Sequence, residues 1–255
     1  MEKKEIAYNN GDSYEGLVHD GERHGGGRYI FASGEKYEGG FFKGARQGPG
    51  KYFFRSGNIY EGNWQANKQN GQGSQLFRDG SQYVGEWRGG KPHGMGAFAF
   101  ANGDVYEGNW AAGKPHGTGK YFYSNGNIFN GHWANGMQHG KGAHMYALGD
   151  AYEGDFIQDK RDGRGTLHFS TGDRYEGEFQ NDKQTGLGLY YSANGDKFKG
   201  LWRDGKRHGK GTLQYANGDL AEGEWVNDKM HGKFILVRKG GSKEIQEYSN
   251  GQRRS

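Results

Sequence analysis

Large apolar residues along this chain alternate with polar ones at period two, and the alternating stretches return at a fixed step. Tyr106-Glu107-Gly108-Asn109-Trp110 is typical. In an extended chain it places a tyrosine, a glycine and a tryptophan on one face and two polar residues on the other. With the tyrosine as anchor, equivalent positions are Tyr14, Tyr37, Tyr60, Tyr83, Tyr106, Phe129, Tyr152, Tyr175, Phe198 and Ala221, each 23 residues after the last. Glycine stands two residues after every anchor, and a large, mostly aromatic residue stands four after it; that ring column holds all six tryptophans. Glycine returns eleven residues after the anchor in all ten units, and thirteen after it in nine, with Phe234 in the last.

Each unit predicts two strands and two turns. Asp20-Gly21, Asn135-Gly136 and Asp204-Gly205 mark the first turn; Asn102-Gly103, Asn125-Gly126, Asn194-Gly195 and Asn217-Gly218 mark the second. Such dipeptides supply the positive φ of tight hairpins. The recurrent glycine and the missing 3.6-residue stripe exclude helix. Centring the first turn between seven and eight residues after the anchor sets the ring opposite the glycine at plus eleven. It also sets plus two opposite plus thirteen and the anchor opposite plus fifteen, so that large rings lie over bare backbone and each hairpin packs on the next. The expected fold is all-β: one elongated, single-layer, twisted antiparallel sheet of ten tandem hairpins. At ~4.8 Å per strand, about 22 strands would make a ribbon ~100 Å long and ~20 Å wide. Residues 1–11 read as an N-terminal capping strand and 12–241 as the ten repeats. Residues 242–255 read as a degenerate closing strand, with Gln246 in the glycine column, and a basic tail.

Composition sharpens this picture. Glycine is 51 of 255 residues and hydrophobic residues are only 32%, values that suggest disorder, but 15% aromatic content argues for an ordered pattern. The chain has no cysteine, which rules out disulfides and zinc-thiolate sites. No apolar run is long enough for a membrane-spanning helix, and Met1-Glu2-Lys3-Lys4-Glu5 does not open a signal peptide. A net charge of +4 is too mild to imply nucleic acid.

The unit Tyr106-Glu107-Gly108-Asn109-Trp110 … Gly113-Lys114-Pro115-His116-Gly117-Thr118-Gly119 resembles the MORN repeat (membrane occupation and recognition nexus). Departures are Ala221 in the anchor column and Gln47, Asn70, Asp162 and Thr185 where the family carries histidine. The resemblance implies an accessory module of the kind found beside catalytic domains in some enzymes and as stand-alone arrays in ciliary, radial-spoke and other cytoskeletal proteins. With nothing but a short tail after the array, it implies a non-enzymatic scaffold in the cytoplasm, in a ciliary or other cytoskeletal assembly.

Candidate chemistry is repetitive. His24, His93, His116, His139, His208 and His231 share a column, but repeats ~10 Å apart are too far for one zinc. The acids one residue after the anchor, such as Glu15 and Glu107, form a lattice, whereas catalysis needs different groups to converge. No cofactor is expected. Two surfaces remain. The aromatic face, centred on Tyr60, Trp64, Tyr83, Trp87, Tyr106, Trp110 and Trp133, is expected to form a partly open groove for a partner helix or extended peptide. Lys68, Lys91, Lys114, Lys160, Lys183, Lys206 and Lys229 are expected in the first turn, lining one edge; Asp104, Asp150, Asp173, Asp196 and Asp219 line the other. The lysine edge gives the alternative function, a peripheral adaptor on phosphoinositide-rich or other anionic lipid surfaces. The terminal strands are open edges that could pair two copies of the chain.

Overall fold

The computed structural model describes residues 1–254, which are entirely strand and turn, with 23 strands from β1 (Glu2–Ala7) to β23 (Gln252–Arg253). They gather into two compact units: Met1–Ser124 with Trp133–Gly136, and Asn125–His132 with Met137–Ser255. In the first unit, β1 and the strands through β11 (Lys114–Phe122) pair antiparallel in chain order. In the second, the same holds from β13 (Met137–Met145) to β23. The predicted capping strand is β1, with Ile6 opposite Tyr14, and the closing strand is β22 (Lys243–Ser249), with Tyr248 opposite Gly232. Edge strand β1 presents Glu2, Lys3, Lys4 and Glu5, charges of the kind that discourage edge-to-edge pairing.

Within each hairpin the register agrees with the sequence at two positions and departs at a third. Anchor faces plus fifteen (Tyr106↔Tyr121) and glycine faces glycine (Gly108↔Gly119), but Trp110 faces Pro115 instead of Gly117. The first turn is tighter than expected. Its two central residues both take positive φ, as at Asp20 and Gly21 (49° and 79°), which moves the turn one residue closer to the anchor. A bulge between Gly108 and Trp110 absorbs the two surplus residues of the second strand. Gly117 sits in that bulge at φ 73°, and its counterparts Gly25 and Gly94 are at 63°. The glycine at plus eleven is therefore required by backbone conformation, a demand that side-chain alternation does not reveal. It still lies opposite a ring, but that of the following repeat, as in Gly94↔Trp110. The second turn is a three-residue loop. Gly103 N–H donates to Phe100 O at 3.0 Å and Phe100 N–H to Asp104 O at 2.9 Å, with Gly103 at φ 90° while Asn102 stays at negative φ.

The interior of this single layer is made of rings on glycine. In the first unit an unbroken ladder runs Gly16, Gly27, Gly39, Gly50, Gly62, Gly73, Gly85, Gly96, Gly108, Gly119, each glycine opposite the next. Each anchor folds over its own pair of rungs. A Cβ built on Gly119 would lie 2.3 Å from the Tyr106 hydroxyl. That hydroxyl donates to Asn109 O at 2.9 Å, a carbonyl at the bulge, and Tyr14, Tyr60, Tyr83, Tyr152 and Tyr175 repeat the bond at 2.7–3.1 Å. Each ring-column residue is wedged between two anchors. Trp110 meets Tyr83 and Tyr106 edge-on, both at 5.2 Å, and donates Nε1–H to Gly96 O at 3.0 Å. Edge-on aromatic pairs contribute about 0.5–1.5 kcal/mol beyond area burial, so the zipper takes the place of an aliphatic core. The last repeat exchanges its parts. Ala221 provides no anchor ring, and the ring of Phe234, from the column that elsewhere holds glycine, covers Gly223. Ala221 and Phe234 are both fully buried.

Candidate functional site

The structure corrects the expected groove. Tyr60, Tyr83 and Tyr106 are 0% exposed, and Trp64, Trp87, Trp110 and Trp133 are 4–6% exposed. Burial raises the phenol pKa along the anchor column, to about 12 at Tyr37 and Tyr83. These rings are interior because the anchors lie on the glycine ladder and the ring column fills the spaces between anchors; where the residue nine after the anchor is arginine, it closes over the ring of the next repeat. Arg46 lies 4.5 Å above the Trp64 ring, and Arg207 4.4 Å above that of Trp225.

The accessible rings of this face belong to columns fifteen and seventeen residues after the anchor. In the first unit these columns form two ladders, Tyr8–Tyr29–Phe31–Tyr52–Phe54, in which Tyr29 and Tyr52 are buried, and Phe77–Phe98–Phe100–Tyr121–Tyr123, with neighbouring centroids 4.4–5.8 Å apart. Phe77, Phe98, Phe100, Tyr121 and Tyr123 are half-buried. Sequence reasoning passed over them because glycine and tryptophan dominate the pattern. Phe98-Ala99-Phe100 and Tyr121-Phe122-Tyr123, each just before the second turn, carry the signal.

The aspartates of the second turn are internal clamps and not a free acidic edge. Asp104, Asp150, Asp173, Asp196 and Asp219 each accept a backbone N–H from the next repeat's loop, at 2.7–2.9 Å. Asp104 also accepts the Tyr121 hydroxyl at 2.8 Å. The Ser124 amide, aided by Tyr121 and Asn102, holds the Asp104 carboxyl down to about 2 from 3.8, against the desolvation that would raise it. A depressed folded-state pKa adds stability above the unfolded value that is lost as pH falls through the folded one. Asp104→Asn is therefore expected to lower stability by about 1–2 kcal/mol at pH 7. The gap from wild type should narrow from about pH 4 and close near pH 2 in urea titrations at stepped pH.

The seven lysines are exposed, but each opens the second strand of its hairpin instead of lying in the first turn, because that turn is one residue closer to the anchor than expected. Lys160 reaches Asn181 at 3.3 Å and Lys183 reaches Asp204 at 3.4 Å, across neighbouring repeats. The histidine column runs through the bulges, and among the described residues no three His, Asp or Glu side chains are grouped to hold a metal. Among the described residues no helix is long and apolar enough to cross a membrane.

Comparison with solved structures returns the TCP10 domain of Danio rerio CPAP in complex with a peptide of Danio rerio STIL, at 13% identity over 97% of this chain and 100% of that one, with a TM-score of 0.44. The SAS-4 TCP domain of Drosophila melanogaster, in complex with a proline-rich motif of Ana2, is 16% identical over 69% of this chain and 90% of that one, with a TM-score of 0.40. Virginiamycin B lyase from Staphylococcus aureus is 13% identical over 99% and 76%, with a TM-score of 0.16. Likeness at these levels assigns no function. No curated protein matches the chain. The MORN repeat model matches ten times, at residues 14–36, 37–59, 60–82, 83–105, 106–128, 129–147, 152–174, 175–197, 198–220 and 222–233. Matches that follow the anchor-to-anchor period over most of the chain, on hairpins whose anchors and glycines interlock as described, make this protein a member of the MORN-repeat family.

Proposed function

We propose that the protein is a non-enzymatic interaction scaffold that binds partner polypeptides along its aromatic face. The observation that carries this is the half-buried ladder Phe77–Phe98–Phe100–Tyr121–Tyr123 beside a sealed ring interior. Rings fixed by their neighbours present apolar area at little conformational cost, the property that enriches aromatics at interfaces. A helix or extended peptide is the occupant suited to a row of this kind. Its repetition favours holding partners at set intervals over converging unlike groups on one substrate. Family resemblance makes a ciliary or other cytoskeletal assembly in the cytoplasm the proposed setting. The test is affinity capture with Phe100→Glu/Tyr123→Glu beside the wild type. Loss of the captured partner, with circular dichroism unchanged, supports the face as its binding site; retention by the double variant refutes it.

The second reading is an anionic-surface adaptor, favoured by the exposure of all seven lysines beside one type of turn. Lysines ~10 Å apart suit diffuse attraction to lipid headgroups. Sedimentation with phosphatidylserine and phosphoinositide vesicles separates the two. Salt-sensitive pelleting, lost in Lys91→Glu/Lys114→Glu/Lys206→Glu, would favour the adaptor. Pairing of two copies through terminal strands is tested by mass from light scattering, where the charges on β1 favour a monomer.

A further inference from the structure

The outer ring columns are interrupted at several places in the second unit: Leu167, Leu213 and Leu236 stand fifteen residues after the anchor, and Ser192 and Arg238 seventeen after it. Ser192 occupies the column of Phe100, Tyr123, Tyr146, Phe169 and Tyr215, and Leu213 occupies that of Tyr121 and Tyr190. The result is a pocket of about 490 Å³ walled by Phe169, Tyr190, Phe198, Trp202 and Leu213. Asp196, Arg207 and Asp228 also line it. Two carboxylates against one guanidinium leave the lining one negative charge in excess.

Asp196 differs from most of its counterparts and resembles Asp150, where Leu167 likewise stands in place of the tyrosine. Asp12, Asp104 and Asp173 each take a tyrosine hydroxyl on Oδ2, from Tyr29, Tyr121 and Tyr190. Asp219 takes the Arg238 guanidinium there instead, at 2.9 Å. At Asp196 the corresponding residue is Leu213, and Oδ2 receives the Asn194 side chain at 3.2 Å. Arg207 is turned to Asp228, Nε to Oδ1 at 3.3 Å and Nη2 to its carbonyl at 3.1 Å. The pocket wall also holds a buried donor. Trp64, Trp87, Trp110 and Trp133 each donate Nε1–H to a glycine carbonyl at 3.0–3.2 Å, whereas the buried Nε1 of Trp202, like that of Trp225 outside the pocket, has no hydrogen-bond partner.

We propose that this pocket receives an arginine side chain of a partner polypeptide, with its guanidinium on Asp196 and its planar head against Tyr190 and Phe169. The chain already uses both halves of this recognition, in Arg238 on Asp219 and in Arg174 4.3 Å over the Tyr191 ring. The excess negative charge selects a cation, and aromatic walls favour a stacking guanidinium over a compact ammonium. The assignment rests on the protein-interaction reading and names what one point on that face recognises.

The test is an NMR titration of the ¹⁵N-labelled full chain, with the Trp202 indole cross-peak assigned from Trp202→Phe. The probes are N-acetyl-arginine methylamide and its norleucine, tyrosine and lysine analogues. The arginine probe should shift the Trp202 peak saturably, with an affinity on the order of millimolar, and leave that of Trp87 in place. Asp196→Asn should weaken binding about tenfold, and Ser192→Phe, which restores a ring to the column, should abolish it. Unchanged positions of the other indole peaks establish folding, and either variant suffices if the other does not fold. No saturable shift, equal binding of the norleucine or tyrosine analogue, or undiminished binding to folded Asp196→Asn would overturn the proposal. The probes contain no partner, so their failure removes the arginine site and leaves the scaffold to be judged by capture on the ladder of the first unit.

Discussion

Gly108→Ala is expected to destabilise the first unit by about 3 kcal/mol. A Cβ there would lie 2.4 Å from Gly119 Cα and 2.6 Å from Thr118 O, both main-chain atoms of the paired strand, and 2.7 Å from the Tyr106 hydroxyl. The ring could rotate away only by leaving Asn109 O. The backbone could yield only by breaking the glycine ladder, which is bonded on both sides. Gly26→Ala provides the contrast. Gly26 has negative φ and nothing within 4 Å of a built Cβ. That change should stay within about 0.5 kcal/mol or add stability by restricting the unfolded chain. Urea midpoints of the two variants decide the matter; equal midpoints would mean the ladder is not a close-packed element.

Trp110→Ala is expected to cost about 3–5 kcal/mol, the range for a large aromatic removed from a packed interior. It deletes the wedge between Tyr83 and Tyr106 and the bond to Gly96 O, so two repeats lose their shared contact at once. Trp110→Phe should cost much less, because Phe41, Phe156 and Phe179 hold the same column and keep the edge-on pairs. In a stack held by nearest-neighbour contacts, the damage should spread to adjacent strands before distant ones. Hydrogen exchange should therefore quicken first in β8 (Gln82–Arg88), β9 (Lys91–Ala99) and β10 (Val105–Ala111).

These effects also mark what could be read from sequence. The alternation in Tyr106-Glu107-Gly108-Asn109-Trp110 and the 23-residue step carried strands, turns and two of three register positions, because side-chain period and turn chemistry are local. The bulge was not legible. Alternation shows which face a residue occupies but not that Gly117 takes positive φ to absorb two extra residues. Burial of the rings was misjudged for a related reason. A glycine two residues from a tyrosine signals space, and only the folded chain shows the ring of that tyrosine lying over the glycine and its cross-strand partner, as Tyr106 does over Gly108 and Gly119. Ala221 and Phe234 were separate irregularities in sequence and are one exchange in space, since the ring lost from the anchor returns from the paired strand. The aspartates look like an exposed acidic row until their bonds across repeats are seen, as at Asp104 and Ser124.

Site-specific photo-crosslinking compares the two faces of the sheet most directly. A benzophenone side chain placed at Phe100 or Tyr123 should label a partner, with unlabelled protein competing the product away, while the same group at Glu107 or Lys120, which point to the opposite face, should not. Labelling confined to Glu107 and Lys120, or equal from all four positions, would contradict binding along the outer aromatic ladder.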